Sequence, residues 1–178
     1  IATSYMDVYD NSILSRAKTQ YQNIVDKLDG TMLCGNEHAY FMKGKVVVGS
    51  ANPETMEQFL EDDDLVIMGN RYDAQICALE SNASCIVIAG SPQVPKTIVK
   101  MAEEKHCVLI TTDYDTYTAA RLINQSMPIK HFMTKKGIIH FDLDDYVDEV
   151  RETVANIRHR DFPVLDENQI YVGMFSRR

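Results

Sequence analysis

The apolar residues of this chain fall into short unbroken runs separated by longer amphipathic stretches. Val46-Val47-Val48, Leu65-Val66-Ile67-Met68, Cys85-Ile86-Val87-Ile88-Ala89 and Cys107-Val108-Leu109-Ile110 are continuous. Each ends on small or polar residues: Gly49-Ser50, Gly69-Asn70, Gly90-Ser91-Pro92 and Thr111-Thr112-Asp113. Runs of this kind read as strands buried on both faces. Between and after them, Met56, Phe59 and Leu60, then Ala74, Cys77, Ala78 and Leu79, then Ile98 and Met101, then Tyr117, Ala120, Leu122 and Ile123 recur at helical steps. Pro53 sits where a helix would start. The alternation predicts an α/β sandwich, a parallel sheet with helices on both faces, over roughly 100 residues.

The flanks follow other rhythms. Residues 31–34 predict a short strand. Thr19 and Gln22 predict a capping box for a helix carrying Tyr21, Ile24, Val25 and Leu28 and ending at Asp29-Gly30. Residues 1–18 are less regular, and residues 1–8 read as the end of a helix whose start lies upstream. Pro128 and the polar run Thr134-Lys135-Lys136-Gly137 mark a boundary. Beyond it the pattern is strand at 138–141, helix with Val147, Val150, Val154 and Ile157 inward and Asp145 as N-cap, strand at 162–165, hairpin loop at 166–169, and strand at 170–175. This is a β-α-β-β unit.

Composition narrows the classes. The chain has 178 residues, 45% hydrophobic and 25% charged, with a net charge of −8. An acidic total argues against a broad nucleic-acid face, so any anion binding must come from a local cluster. The four cysteines form no C-x-x-C pair and lie in apolar positions, as reduced core thiols of a cytoplasmic protein would. No apolar run reaches membrane-spanning length, and the opening Ile1-Ala2-Thr3-Ser4-Tyr5-Met6-Asp7 lacks the basic and apolar regions expected of a signal peptide. The chain opens without an initiator Met and is expected to be an excised piece of a longer one.

Several polar groups are candidates for chemistry. Glu61-Asp62-Asp63-Asp64 reads as a solvated turn, because adjacent carboxylates lack the spread spacing of a hard-cation loop. Asp113 and Asp115 follow the fourth buried strand, where parallel sheets place their ligands, yet Asp115 also suits an N-cap. Arg71, after Gly69-Asn70, reads either as an anion clamp at a helix start or as a turn residue paired to Asp73. The five histidines show no metal spacing, and no Ser-His-Asp or Cys-His arrangement is present. Arg158, His159, Arg160, Arg177 and Arg178 crowd into the last stretch of an acidic chain. If the last two strands pair, Arg160 and Phe162 lie near Ser176–178. Phe162 then offers a flat face for a base, Ser176 a hydroxyl for ribose or phosphate, and the guanidiniums bidentate phosphate contacts. A solvated rim of charges is the other reading of the same residues.

Residues 138–178 resemble a CBS domain through Ile138-Ile139-His140-Phe141, Asp145-Tyr146-Val147, Arg160-Asp161-Phe162-Pro163-Val164-Leu165-Asp166 and Gly173-Met174-Phe175-Ser176-Arg177. The family's Asp three positions after the Ser/Thr would fall at 179, one past Arg178, so this CBS unit is expected to be truncated. Residues 45–131 resemble a DRTGG domain through Gly69-Asn70-Arg71-Tyr72-Asp73-Ala74 and Thr111-Thr112-Asp113-Tyr114-Asp115-Thr116. The order CBS, DRTGG, CBS resembles the regulatory insert of CBS-containing family II inorganic pyrophosphatases. The resemblance implies a remnant of a first CBS domain and linker at 1–18, a DRTGG-type α/β domain at 19–132 and a partial CBS (β-α-β-β) module at 133–178.

It further implies an adenine-nucleotide regulatory region. AMP and ADP would inhibit, and ATP or a diadenosine polyphosphate would activate. The region would act as a homodimer joined to a separate catalytic domain that holds Mn²⁺ or Co²⁺ and carries an Asp-His-His triplet absent here. Carried onto this sequence, Thr134 and Ile139 would line the base. Arg158, Arg160 and Phe162 would meet adenine or phosphate, and Ser176, Arg177 and Arg178 ribose and phosphate. Ile1, Ala2 and Thr3 would be the remnant of the first half of the pocket. Two other readings stand beside this one: a dimerisation module with no ligand of its own, and an α/β enzyme using Asp113 and Arg71 on a phosphorylated metabolite.

Overall fold

The computed structural model describes residues 10–90 and 93–177. The expectations placed on Ile1, Ala2, Thr3, the helix end at 1–8, Ser91, Pro92 and Arg178 lie outside the described residues. The chain divides into two compact units, Ile1–Phe132 and Met133–Arg178.

The first unit contains α1 (Ile13–Arg16), β1 (Thr19–Gln20), α2 (Tyr21–Lys27), β2 (Thr31–Cys34), β3 (Tyr40–Phe41), β4 (Val46–Val48), α3 (Pro53–Met56), β5 (Leu65–Met68), α4 (Tyr72–Glu80), β6 (Cys85–Ala89), α5 (Lys96–Glu104), β7 (Val108–Thr112) and α6 (Thr116–Leu122), followed by two 3-10 turns. Its main sheet has the order β2-β7-β6-β5-β4. The strands β4 to β7 are parallel and β2 is antiparallel to β7. Each of the four parallel strands lies beside its predecessor, so right-handed crossovers put α3, α4 and α5 on one face. Side chains alternate accordingly. Val66, Met68, Ile86, Ile88 and Leu109 pack with Met56, Ala78, Ile98 and Ala102 of those helices. Leu65, Ile67, Cys85, Val87, Val108 and Ile110 face the other way, onto Leu14, Ile24, Leu28, Ala119 and Ile123 of the first, second and sixth helices and the turn after them. The strand order never reverses within the parallel set, so these strands lack the switch-point crevice in which open α/β sheets hold ligands.

Several local expectations change. Thr19 is not a cap: its hydroxyl donates to the Leu14 carbonyl at 2.9 Å, and Gln22 donates to Asp26. The helix α2 begins at Tyr21 with no side-chain cap. The acidic run is not wholly solvated either. Asp64 is 1% exposed and accepts the backbone N–H groups of Lys45 at 3.0 Å and Glu61 at 2.9 Å. Lys45 Nζ lies 2.9 Å from Glu61 and 3.9 Å from Asp64. This carboxylate therefore fastens the entry of β4 to the entry of β5, a job that needs buried charge with satisfied lone pairs. Gly44, beside it, has φ of +85°, and a Cβ there would stand 2.2 Å from the Asp63 carbonyl oxygen. Asp115 does cap α6, accepting from Thr118 N at 3.0 Å.

The second unit holds β8 (Phe141–Asp142), α7 (Val147–Ala155), β9 (Asp161–Leu165) and β10 (Tyr171–Ser176). The sheet order is β10-β9-β8, with β9 antiparallel to β10 and parallel to β8. The first strand is shorter than the pattern at 138–141 suggested. The α7 N-cap is Tyr146, because Asp145 is occupied in accepting the Asp142 N–H at 2.8 Å. Phe141, Val150, Val154 and Phe162 form the core.

Two outcomes follow. Asp64→Ala, which orphans two buried N–H groups, and Gly44→Ala, which forces backbone apart, each lower stability by about 2–4 kcal/mol in denaturant melts. The second concerns pH. All four cysteines are free thiols; burial pushes the Cys107 thiol up to about 12, raises Cys85 well above its ordinary value, and raises the Tyr21 hydroxyl too. The unfolded chain loses these protons first, from roughly pH 8.5 for a free thiol, while the folded chain keeps them. Stability is therefore complete below that pH and falls as pH rises toward 12. Thermal melts between pH 8 and 10.5 should show a steady decline, and a flat profile would contradict it.

Candidate nucleotide site

The hairpin of β9 and β10 decides where the C-terminal cluster sits. Phe175 pairs with Phe162 and Ser176 with Asp161. One step further, Arg177 N donates to the Arg160 carbonyl at 2.7 Å. Arg160, Asp161, Ser176 and Arg177 thus meet at one end of the sheet, as strand pairing predicted.

Alternation then sorts them by face. Phe162 points toward α7 and is completely buried. Its ring lies 5.2 Å from Phe141, 6.4 Å from Phe175 and 6.3 Å from His159. The expectation that it offers a flat face to a base is corrected here, because its apolar neighbours already enclose it. Arg177 also turns toward the helix. Its Nη1 donates to the carbonyls of Val154 at 3.3 Å and Ile157 at 3.4 Å, groups at the last turn of α7 and just beyond it. Such carbonyls carry the negative end of the helix dipole and favour a cation. Arg177 is therefore a cap in this structure.

Ser176 and Asp161 take the opposite face. The Ser176 hydroxyl donates to Asp161 Oδ1 at 2.7 Å, and both residues are exposed. Arg158 and Arg160 are exposed, and among the described residues neither guanidinium has a hydrogen-bond or ion-pair partner. Thr134 is exposed, and Ile139 is half-buried against the Phe141 cluster. No hydrogen bond among the described residues joins either of them to the hairpin end. Sequence reasoning gave Asp161 no role; its pairing with Ser176 needed the strand register.

The first unit's candidates resolve differently. Arg71 donates to the Ala51 carbonyl at 3.1 Å and to Asp73 at 2.6 Å, which with the backbone N–H of Ala74 holds the Asp73 carboxyl below its usual range. Ala51 follows β4, whereas Asp113 follows β7 on the far side of β6. Arg71 is tied away from Asp113, so the two do not form a shared phosphate clamp.

The DRTGG domain model matches residues 23–126. The chain belongs to the DRTGG domain family. Over 177 residues it is 34% identical to the cobalt-dependent inorganic pyrophosphatase of Clostridium perfringens, covering 99% of this chain and 32% of that protein. It is 27% identical over 157 residues to a probable manganese-dependent inorganic pyrophosphatase of Thermotoga maritima, covering 88% and 28%. Against the uncharacterized protein YtoI of Bacillus subtilis the identity is 26% over 174 residues, covering 90% and 39%. This DRTGG chain thus spans about a third of the length of the curated relatives it matches. A crystal structure of the CBS and DRTGG domains of the C. perfringens pyrophosphatase regulatory region, complexed with the activator diadenosine tetraphosphate, aligns with a TM-score of 0.88 at 34% identity, over 99% of this chain and 79% of that one. The resemblance to a pyrophosphatase regulatory region is borne out, and so is the α/β fold class.

The division of roles at the hairpin end gives a direct test. Phe162→Ala should destabilise the second unit by about 3–5 kcal/mol, read as faster hydrogen exchange along β9 and β10. Arg160→Ala should change stability by less than about 0.5 kcal/mol.

Proposed function

We propose that this chain is the adenine-nucleotide-binding regulatory region of an inorganic pyrophosphatase, with residues 133–178 as its second CBS domain and 19–132 as its DRTGG domain. One observation carries the reading. The solved region with which the chain aligns along nearly its whole length is a complex with diadenosine tetraphosphate, and this chain presents two unpaired guanidiniums beside a hydroxyl at one sheet end. Arg158 and Arg160 take phosphate, where planar forks match its oxygens. Ser176 lies at the sugar. Thr134 and Ile139 line the base side. AMP and ADP act as inhibitors, and ATP or a diadenosine polyphosphate as activators. The region works as a homodimer in the cytoplasm and acts on a catalytic domain of the same chain. The Co²⁺ or Mn²⁺ that the relatives' names carry belongs to that domain.

A pure interaction module is the second reading. It is favoured by the exposure of Leu143, Tyr146, Val147, Ile170, Tyr171 and Met174 on the small second unit, since grouped apolar exposure marks contact surfaces. The two readings are compatible if a further CBS unit or a second copy covers that surface.

Titration calorimetry with AMP, ADP, ATP and diadenosine tetraphosphate separates them. Binding should occur, weaken with added salt, and drop about ten- to hundred-fold in Arg158→Ala/Arg160→Ala for the polyphosphates. The absence of heat with all four nucleotides would leave only the interaction module.

A further inference from the structure

A cavity of about 460 Å³ opens in the first unit at the amino ends of β6 and β7. Tyr21, Cys107 and Val108 form its buried floor, and the half-buried Cys34 and Ala39 its wall. The wall is pinned in place. Tyr21 N donates to the Ala39 carbonyl at 3.0 Å, Gln22 N to the Glu37 carbonyl at 2.9 Å, and Cys34 Sγ to the Cys107 carbonyl at 3.2 Å. A cavity of this size, mainly apolar with a few polar groups, is of the kind that holds small molecules. Two of its polar groups are already engaged: Asn36 Oδ1 accepts the His38 N–H at 2.9 Å, and the Ser84 hydroxyl donates to the Asp63 carbonyl at 2.6 Å.

Glu103, on the rim, is different. Among the described residues its carboxylate has no hydrogen bond and no ion pair. It stands in the last turn of α5, which carries no basic residue there, and the helix dipole disfavours a negative charge at that end. Its neighbour Glu104 meets Lys100 at 3.8 Å, whereas Glu103 is left without such a partner. The Cys34 thiol feels this charge: burial first, and the Glu103 carboxylate second, raise it above its ordinary value. Among the described residues no lysine or arginine lines the cavity, and His106, on the same rim, donates or accepts according to its tautomer. An uncompensated carboxylate at a helix C-terminus breaks a local rule with no gain inside the fold, and such departures mark functional positions. We propose that this cavity binds a small organic cation, an ammonium group on an apolar body, with Glu103 as the partner of the ammonium and Tyr21, Ala39, Cys107 and Val108 around the body. The site lies wholly in the first unit and does not depend on the nucleotide reading.

Benzylamine, benzyl alcohol and benzoate share one apolar body and differ in charge, so they separate the two parts of the proposal. Each is titrated into the nitrogen-15-labelled chain and followed by amide chemical shifts. Benzylamine should move the amides of Gly35, Asn36, Ala39 and Ser84 saturably and bind about five- to ten-fold more tightly than benzyl alcohol, because an ion pair adds to the apolar contact. Benzoate should bind more weakly than the alcohol, since the free carboxylate repels it. The preference for the amine should weaken as salt is added. In Glu103→Gln, a change at an exposed position, it should shrink to within about two-fold while binding of benzyl alcohol stays as it was. Thermal melts verify that the variant is folded. Shifts that fail to saturate or that fall elsewhere in the chain overturn the proposal. So do equal affinities for the amine and the alcohol, and a preference that survives in Glu103→Gln.

Discussion

Everything at the candidate site depends on the burial of Phe162. The second unit is small, and its core is four side chains with a few half-buried neighbours. A three-stranded sheet against one helix has little other apolar area to bury, so the ring of Phe162 sets which face of the sheet is inside. A slip of one residue would send Phe162 to solvent and bring Asp161 into the core, at the cost of burying a charge. The register pairing Phe162 with Phe175 is therefore strongly specified. With it fixed, Asp161 and Ser176 must share the outer face, and Arg177 must turn inward.

The same constraint divides the basic cluster. The C-terminal end of α7 offers carbonyls without intrahelical partners, and Arg177 fills that need. Arg158 and Arg160 make no bond to those carbonyls, and the structure leaves them exposed. Among the described residues the three guanidiniums of this cluster are thus one structural cation and two uncommitted ones. Charge density alone does not separate these cases; the hydrogen-bond partners of each side chain do.

The central sheet was legible because its signal was strong. Val46-Val47-Val48, Leu65–Met68 and Cys85–Ala89 became strands with the expected boundaries, since continuous β-branched and aliphatic runs between turn residues leave few alternatives. The parallel arrangement and the Asp115 cap were likewise readable. Three features were not. Thr19 matches a capping box in sequence, but tertiary contact gave its hydroxyl to Leu14. Asp64 looked like one of four solvated carboxylates, and only its bonds to Lys45 and Glu61 show that it is buried. Phe162 looked like a stacking platform because an aromatic flanked by arginine has the composition of a nucleotide site. Composition near a strand end cannot tell an inward ring from an outward one unless the register is known.

The architecture also explains why the described strand-end residues of the first unit are tied to one another. Ligand crevices in open α/β sheets arise where neighbouring crossovers leave in opposite directions and the strand ends part. Here β4 to β7 lie in sequence order, so successive helices stack on one face and the loops above them close on each other. Arg71 reaching to Ala51 and the Gly90 N–H donating to the carbonyls of Thr112 and Tyr114 show that closure. The strand ends therefore supply their own hydrogen-bond partners. The hairpin end of the second unit does not, since Arg158, Arg160 and one oxygen of Asp161 remain unsatisfied by the described residues.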